Sequence, residues 1–89
     1  MQSEAGVPEV GDLTAIRAIL KQHGRLSVDP AALTEQADLF SAGLTSLATV
    51  NVMLALENHF DVEFPDSMLS RKTFASLEAI AEAVAELRG

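Results

Sequence analysis

The chain has 89 residues, 48% of them hydrophobic, with no cysteine and a formal net charge of −7. This length suits one small domain with a single core and is too short to shelter a catalytic cleft beside a second lobe, so an enzyme is not expected. The acidic balance argues against nucleic acid as a partner, and no apolar run approaches the roughly 20 residues of a membrane span.

The ends and the composition give no sign of export. Residues 1–10 lack the basic start and apolar run of a secretion signal, and without cysteine the chain brings no thiol of its own. We therefore expect a cytoplasmic monomer that does not associate with a membrane. Gly6 and Pro8 oppose regular structure, which predicts a flexible tail at 1–10 before one domain at 11–89.

The first helix is predicted at residues 12–23, with Asp12 capping its start and Gly24 ending it. Its apolar residues recur at the three-four spacing of one helix face, namely Leu13, Ile16, Ile19 and Leu20.

Between residues 25 and 45 the helical periodicity is lost, and Pro30 and Gly43 punctuate a long connection. The connection still carries apolar residues, which predict an ordered loop lying on the core: Leu26, Val28, Leu33, Leu39, Phe40 and Leu44.

A second helix is predicted at 46–59, in a stretch free of glycine and proline, and a short one from Pro65 to about Leu69. Thr73 is expected to cap the last helix. The core face of that helix has the residues Leu77, Ile80, Ala81 and Val84. No strand alternation occurs, so the sequence predicts an all-α four-helix bundle, three helices longer and one short, with a long loop between helices 1 and 2.

Helix 2 carries two apolar stripes where a small bundle needs one. The core stripe is predicted at Thr49, Val52, Met53, Leu56 and Phe60. A second stripe, turned away from it, consists of Leu47, Val50 and Leu54 flanked by Asn51, Glu57 and Asn58. This second set is the predicted partner face. The alternative is that the long loop covers Leu47 and Val50.

Ser46 stands where the polar connection passes into helix 2, directly after Gly43-Leu44-Thr45. Its hydroxyl is the one group in the chain with evident chemistry. A serine before a helix is commonly an N-cap, which stabilises by about 1 kcal/mol. The choice between a cap and a reactive hydroxyl depends on the flanking pattern.

That pattern resembles the acyl carrier protein family. The resemblance rests on Asp38-Leu-Phe-Ser-Ala-Gly-Leu-Thr-Ser-Leu-Ala-Thr-Val50 followed by Met53-Leu-Ala-Leu-Glu-Asn-His-Phe-Asp-Val-Glu-Phe-Pro-Asp66, and it covers most of residues 12–88. It implies that Ser46 is esterified to 4′-phosphopantetheine taken from coenzyme A by a phosphopantetheinyl transferase. The thiol of that arm would hold cargo as a thioester.

The chain departs from fatty-acid carriers around the serine. Thr45 replaces their usual aspartate, Ala48 and Asn51 stand where acidic residues usually line helix 2, and Asn58 follows the Leu-Glu pair in place of acid. These changes indicate a partner face with little charge and argue against the standard fatty-acid synthase enzymes.

The block from Ala37 to Ile80, which includes Arg71-Lys-Thr-Phe-Ala-Ser-Leu77, resembles stand-alone bacterial carriers loaded by ligases similar to aminoacyl-tRNA synthetases. It implies an aminoacyl cargo, such a ligase as partner and a downstream acceptor enzyme. A fatty-acyl or polyketide carrier of a specialised pathway is the alternative within the class. An unmodified helical adaptor that binds through helix 2 is the alternative from another class.

The remaining polar residues indicate no further site. His23 and His59 are isolated, and the acids between Asp61 and Asp66 lack the glycine turn and distal glutamate of a calcium loop, so no metal is expected. The pair Arg71-Lys72 could contact a phosphate or an acidic partner, although two solvated charges are the commoner case.

Overall fold

The computed structural model describes residues 10–89, which contain helices and turns and no strand. Three α-helices are present in this part of the chain: α1 at Val10–Ile19, α2 at Ser46–Phe60 and α3 at Leu77–Arg88. A π-helical turn at Leu20–Gly24 extends α1, and single 3₁₀ turns lie at Pro30–Ala32 and Asp66–Met68. The predicted all-α class is confirmed, and the predicted tail lies, apart from Val10, outside the described residues.

The core forms where the apolar faces of the three helices meet. Fully buried side chains come from every helix and from the connection, namely Ile16, Leu20, Leu39, Val52, Leu56, Leu77, Ile80 and Val84. Every core residue predicted on α3 is buried. None of the described helices has the length and apolar character needed to cross a membrane.

On α2 the buried line is Ala48, Val52 and Leu56, whereas Thr49, Met53 and Phe60 are only half-buried. The expected core stripe is therefore displaced by about one residue around the helix. Ala48, which the predicted stripe left out, is 2% exposed and belongs to the core.

The connection from residue 25 to residue 45 is tied to the helices at several points. The Arg17 guanidinium on α1 donates to the carbonyl oxygens of Pro30 and Leu33. The Leu39 amide donates to the Ala75 carbonyl over 2.7 Å. Leu39 and Leu44 are buried, as predicted for a loop lying on the core, whereas Val28 is 43% exposed.

The predicted helix ends differ from the structure in detail. Asp12 is no cap, because α1 begins at Val10 and the Asp12 carboxylate instead pairs with Arg88 over 3.0 Å. The helical run does end at Gly24, and the residue in the left-handed conformation is Arg25, which follows it, with φ 54°.

At α3 the cap is Ser76, whose hydroxyl accepts from the Ala79 amide over 3.0 Å. Thr73 was the predicted cap, but it lies in the turns that place Phe74 in the core. The short helix shrinks to the 3₁₀ turn, with Pro65 one position before it.

Candidate functional site

The backbone before α2 is shaped by a close approach at Gly43. This glycine has φ 114°, and a Cβ there would stand 3.0 Å from the Ser27 amide nitrogen. Both the amide and the hydroxyl of Ser27 donate to the Ala42 carbonyl, over 2.9 and 2.8 Å. Gly43 thus lets two parts of the connection touch, and this contact fixes the direction in which the chain enters α2.

Thr45, and not Ser46, is the N-cap of α2. Its side-chain oxygen accepts from the Ala48 amide over 3.1 Å, and its backbone is extended with φ −99° and ψ 166°. Ser46 is the first helical residue and is exposed. Its hydroxyl has no hydrogen-bond partner in the described part of the chain. The capping explanation for Ser46 is therefore wrong, since the neighbouring threonine performs that role.

The surroundings of Ser46 fit a phosphodiester. As first-turn residues, Ser46 and Leu47 have amides without intrahelical acceptors, which gives the helix start a partial positive charge. The first turn of α2 contains no acidic residue. An anion attached to the Ser46 oxygen would thus meet favourable dipoles and no carboxylate within that turn.

Ser46 also lines an open groove of about 260 Å³ between α2 and the segment that precedes α3. Thr49 and Met53 lie along the α2 side of this groove, and Arg71 and Phe74 lie on the other. The groove is too small and open to indicate a buried tunnel, and it joins the Ser46 hydroxyl to a mixed apolar and cationic wall.

The predicted partner face is open to solvent. Leu47, Val50 and Leu54 are 75%, 48% and 53% exposed, so the long loop does not cover them and that alternative is wrong. Asn51 and Asn58 are exposed beside them. These five residues give α2 an uncharged, largely apolar outer surface.

Ala48 and Glu57, which were both expected on that outer surface, are placed differently. Ala48 was interpreted as part of the docking surface, but it is buried in the core, so its replacement of an acid does not alter that surface. The half-buried Glu57 accepts the Phe64 amide over 2.9 Å and so holds the chain that leaves α2.

Sequence reasoning missed the contact between Arg71 and Phe40. The Arg71 guanidinium carbon lies 4.1 Å from the centre of the Phe40 ring. Nearby, Asp38 accepts the Ser41 hydroxyl and the Phe40 amide, each over 3.0 Å. The hydrogen bond from the Ser41 hydroxyl lowers the pKa of Asp38 below its ordinary 3.8. The Phe40 and Ser41 amides and the charge of Arg71 lower this pKa further. The only sequence signal for this arrangement was the Asp38-x-Phe40-Ser41 pattern of the turn.

The histidines stay apart from this site. His23 lies in the π-helical turn, and His59 is exposed and packs edge-on against Phe60 with ring centres 4.7 Å apart. No cluster of three potential metal ligands occurs in the described residues.

Fold and site together define a carrier-type domain, a helical scaffold that presents one serine hydroxyl at a helix start. Residues 14–84 match the model of a protein family described as "phosphopantetheine attachment site". The chain belongs to this phosphopantetheine-attachment family. Its class is thus that of a carrier protein with covalent 4′-phosphopantetheine, which confirms the resemblance seen in the sequence.

Among its relatives is the aminoacyl carrier protein of Agrobacterium fabrum, 48% identical over 78% of this chain and 83% of that protein. A D-alanyl carrier protein of Streptococcus mutans is 37% identical over 79% of this chain and 90% of its own length.

Solved structures give the same grouping. One is an engineered Bradyrhizobium japonicum glycine:[carrier protein] ligase complexed with the carrier protein from Agrobacterium tumefaciens and AMP. The match has a TM-score of 0.79 and 46% identity, and it covers 81% of this chain and 96% of that one. A complex of the B. japonicum ligase with glycylated carrier protein matches with a TM-score of 0.71 and 30% identity, over 82% and 97%.

Proposed function

We propose that Ser46 is the attachment residue and that the domain at 11–89 carries an aminoacyl group. The observation that carries the proposal is the separation of roles at the start of α2, where Thr45 caps the helix and leaves the Ser46 hydroxyl exposed and unbonded. In this arrangement the hydroxyl can be esterified without loss of the helix cap.

In the proposed reaction, this chain presents the Ser46 hydroxyl and holds the phosphodiester that forms on it. Gly43 sets the turn, Thr45 fixes the first turn of α2, and the first-turn amides favour the phosphodiester once it forms. A phosphopantetheinyl transferase would supply the metal ion and base that activate the hydroxyl. The arm supplies the thiol that a cysteine-free chain lacks.

The aminoacyl cargo is inferred from the relatives. A carrier protein at 48% identity has an aminoacyl cargo in its name, and carriers similar to this chain occur in complexes with a glycine:[carrier protein] ligase. We infer that an amino acid:carrier protein ligase loads this chain and that a downstream acceptor takes the amino acid. The expected cytoplasmic setting stays a prediction.

We further propose that the ligase docks on α2 beside Ser46. Leu47, Val50 and Leu54 would supply apolar contact, and Asn51 and Asn58 uncharged hydrogen-bonding groups. Glu57 would contribute less, because its carboxylate already accepts the Phe64 amide. The 3₁₀ turn at Asp66–Met68 would act as the short fourth helix of the bundle.

The first experiment is an intact-mass measurement after incubation with coenzyme A and a broad-specificity transferase. Wild type should gain one phosphopantetheine and Ser46→Ala none. Ser41→Ala is the matched control, because it removes another exposed hydroxyl from the same region, and it should be modified like wild type. Modification of Ser46→Ala would disprove the attachment.

A second experiment separates the cargo classes. The modified protein is incubated with ATP, amino acids and an amino acid:carrier protein ligase, or with acyl donors and their transferases, and its mass is measured again. A gain of one aminoacyl residue that hydroxylamine removes is expected for a thioester. Loading by acyl donors alone would favour a fatty-acyl or polyketide carrier, and full function of Ser46→Ala in a cell would favour an adaptor.

A further inference from the structure

Arg71 is held on one wall of the Ser46 groove without an acceptor for its charge. Its guanidinium lies over the Phe40 ring at 4.1 Å, a distance typical of a cation–π contact. Within the described residues the single ion pair joins Arg88 and Asp12, and Arg71 makes no hydrogen bond there. Its N–H donors thus remain available while the ring restricts where they lie.

Asp38, the acid on which the Arg71 charge acts, does not use those donors. Asp38 influences Arg71 through its charge, but its two carboxylate oxygens accept the Phe40 amide and the Ser41 hydroxyl, and no pair within 4.0 Å forms. Asp38 therefore leaves the guanidinium without an ion-pair partner. An anion brought into the groove would therefore be able to accept hydrogen bonds from the Arg71 guanidinium.

Ser46 lines the same groove, and its proposed product is an anion. We propose that Arg71 binds the phosphate of the arm attached to Ser46, so that the guanidinium and the start of α2 hold the phosphodiester from two sides. The planar guanidinium can donate two parallel hydrogen bonds to phosphate oxygens, which an ammonium group cannot do. This contact would direct the first part of the arm along the groove. The inference rests on the proposed attachment at Ser46.

Lys72 provides a matched control. It carries the same charge and is likewise exposed, but it does not line the Ser46 groove. It lines an adjoining depression, which shares Arg71 and Phe40 with that groove and does not include Ser46. Removing either charge changes the net charge of the protein equally. Only removal of Arg71 should affect the phosphate.

The test uses wild type, Arg71→Gln and Lys72→Gln, each converted to the modified form and checked by intact mass. The ³¹P resonance of the phosphodiester should shift in Arg71→Gln and stay at the wild-type position in Lys72→Gln. In ¹⁵N spectra the Arg71 Nε–H signal of wild type should move between the unmodified and modified forms. Raising the salt concentration should bring the wild-type ³¹P resonance toward that of Arg71→Gln.

Equal ³¹P positions in all three proteins, with an unchanged Arg71 Nε–H signal, would overturn the inference. So would equal shifts in both variants, because they would show a general effect of charge. Failure of the proposed attachment looks different, since wild type would then gain no mass and show no ³¹P resonance. Both variants replace exposed side chains, and ¹⁵N spectra of the unmodified proteins verify that they are folded.

Discussion

Replacement of Gly43 by alanine should destabilise the domain severely, because this position has two independent constraints. Its φ of 114° is a conformation that alanine rarely adopts, and imposing it costs about 1–3 kcal/mol. The new methyl group would also stand 3.0 Å from the Ser27 nitrogen, a backbone atom that cannot rotate away. Displacing Ser27 would weaken its hydrogen bond to Ala42, at a cost of about 1 kcal/mol.

The expected decrease in the free energy of unfolding is therefore about 2–4 kcal/mol. This is a large fraction of the roughly 5–13 kcal/mol available to a chain of this length. Urea unfolding of the unmodified protein, followed by circular dichroism at 222 nm, measures the difference directly.

Gly24→Ala is the matched control. Gly24 is buried, whereas Gly43 is half-buried, but Gly24 has no positive φ, and a Cβ there would meet the Leu20 side chain at an ordinary 3.4 Å. Its free energy of unfolding should stay within about 1 kcal/mol of wild type. The reasoning is refuted if Gly43→Ala is as stable as wild type, or if Gly24→Ala loses as much as Gly43→Ala does.

Other substitutions test the remaining parts of the site. Thr45→Ala should lose about 1 kcal/mol of unfolding free energy in urea, and Thr45→Ser should restore most of it. Ser46→Ala should change that free energy by less than about 0.5 kcal/mol, and a loss equal to that of Thr45→Ala would mean that Ser46 also caps the helix. Leu47→Glu should leave the free energy of unfolding within about 0.5 kcal/mol of wild type yet raise the KM of the loading ligase for the carrier several-fold. By contrast, Leu56→Ala in the core should lose about 2–5 kcal/mol of unfolding free energy. Unchanged loading of Leu47→Glu would exclude Leu47 from the partner face. Asp38 has a folded pKa below its unfolded value, so it contributes stability above about pH 4 that disappears as the pH falls through the folded pKa. In urea titrations between about pH 6 and pH 2, the stability advantage of wild type over Asp38→Asn should therefore shrink on acidification, and a constant difference would contradict the assignment.

The helices were predictable because their core faces repeat at helical spacing. Ile16 on α1, Leu56 on α2 and Ile80 on α3 are each fully buried where periodicity placed them. The helix ends were less predictable, because several residues near each end can cap. Thr73 and Ser76 are both capable caps for α3, and the burial of Phe74 decides in favour of Ser76.

The site was predictable only where its parts adjoin in sequence. The Gly43-Leu-Thr-Ser46 turn is formed by neighbouring residues, so the sequence itself indicated the turn. The contact of Arg71 with Phe40 joins segments about thirty residues apart and depends on how the connection packs before α3. Ala48 shows the same limit, since its burial depends on the neighbours that α2 meets.

The charge around Ser46 differs from that of the whole chain, and the cap explains part of the difference. An aspartate at position 45 could cap α2 equally well, but it would place a negative charge beside the phosphodiester proposed at Ser46. Thr45 supplies the same hydrogen bond without that charge, and Arg71 is the cation among the residues that line the groove. The net charge of −7 is therefore a poor guide to the site. In the proposed docking arrangement, a partner that reaches Ser46 would meet an apolar surface beside one cation, Arg71, so apolar contact at Leu47 and Leu54 would supply most of the specificity.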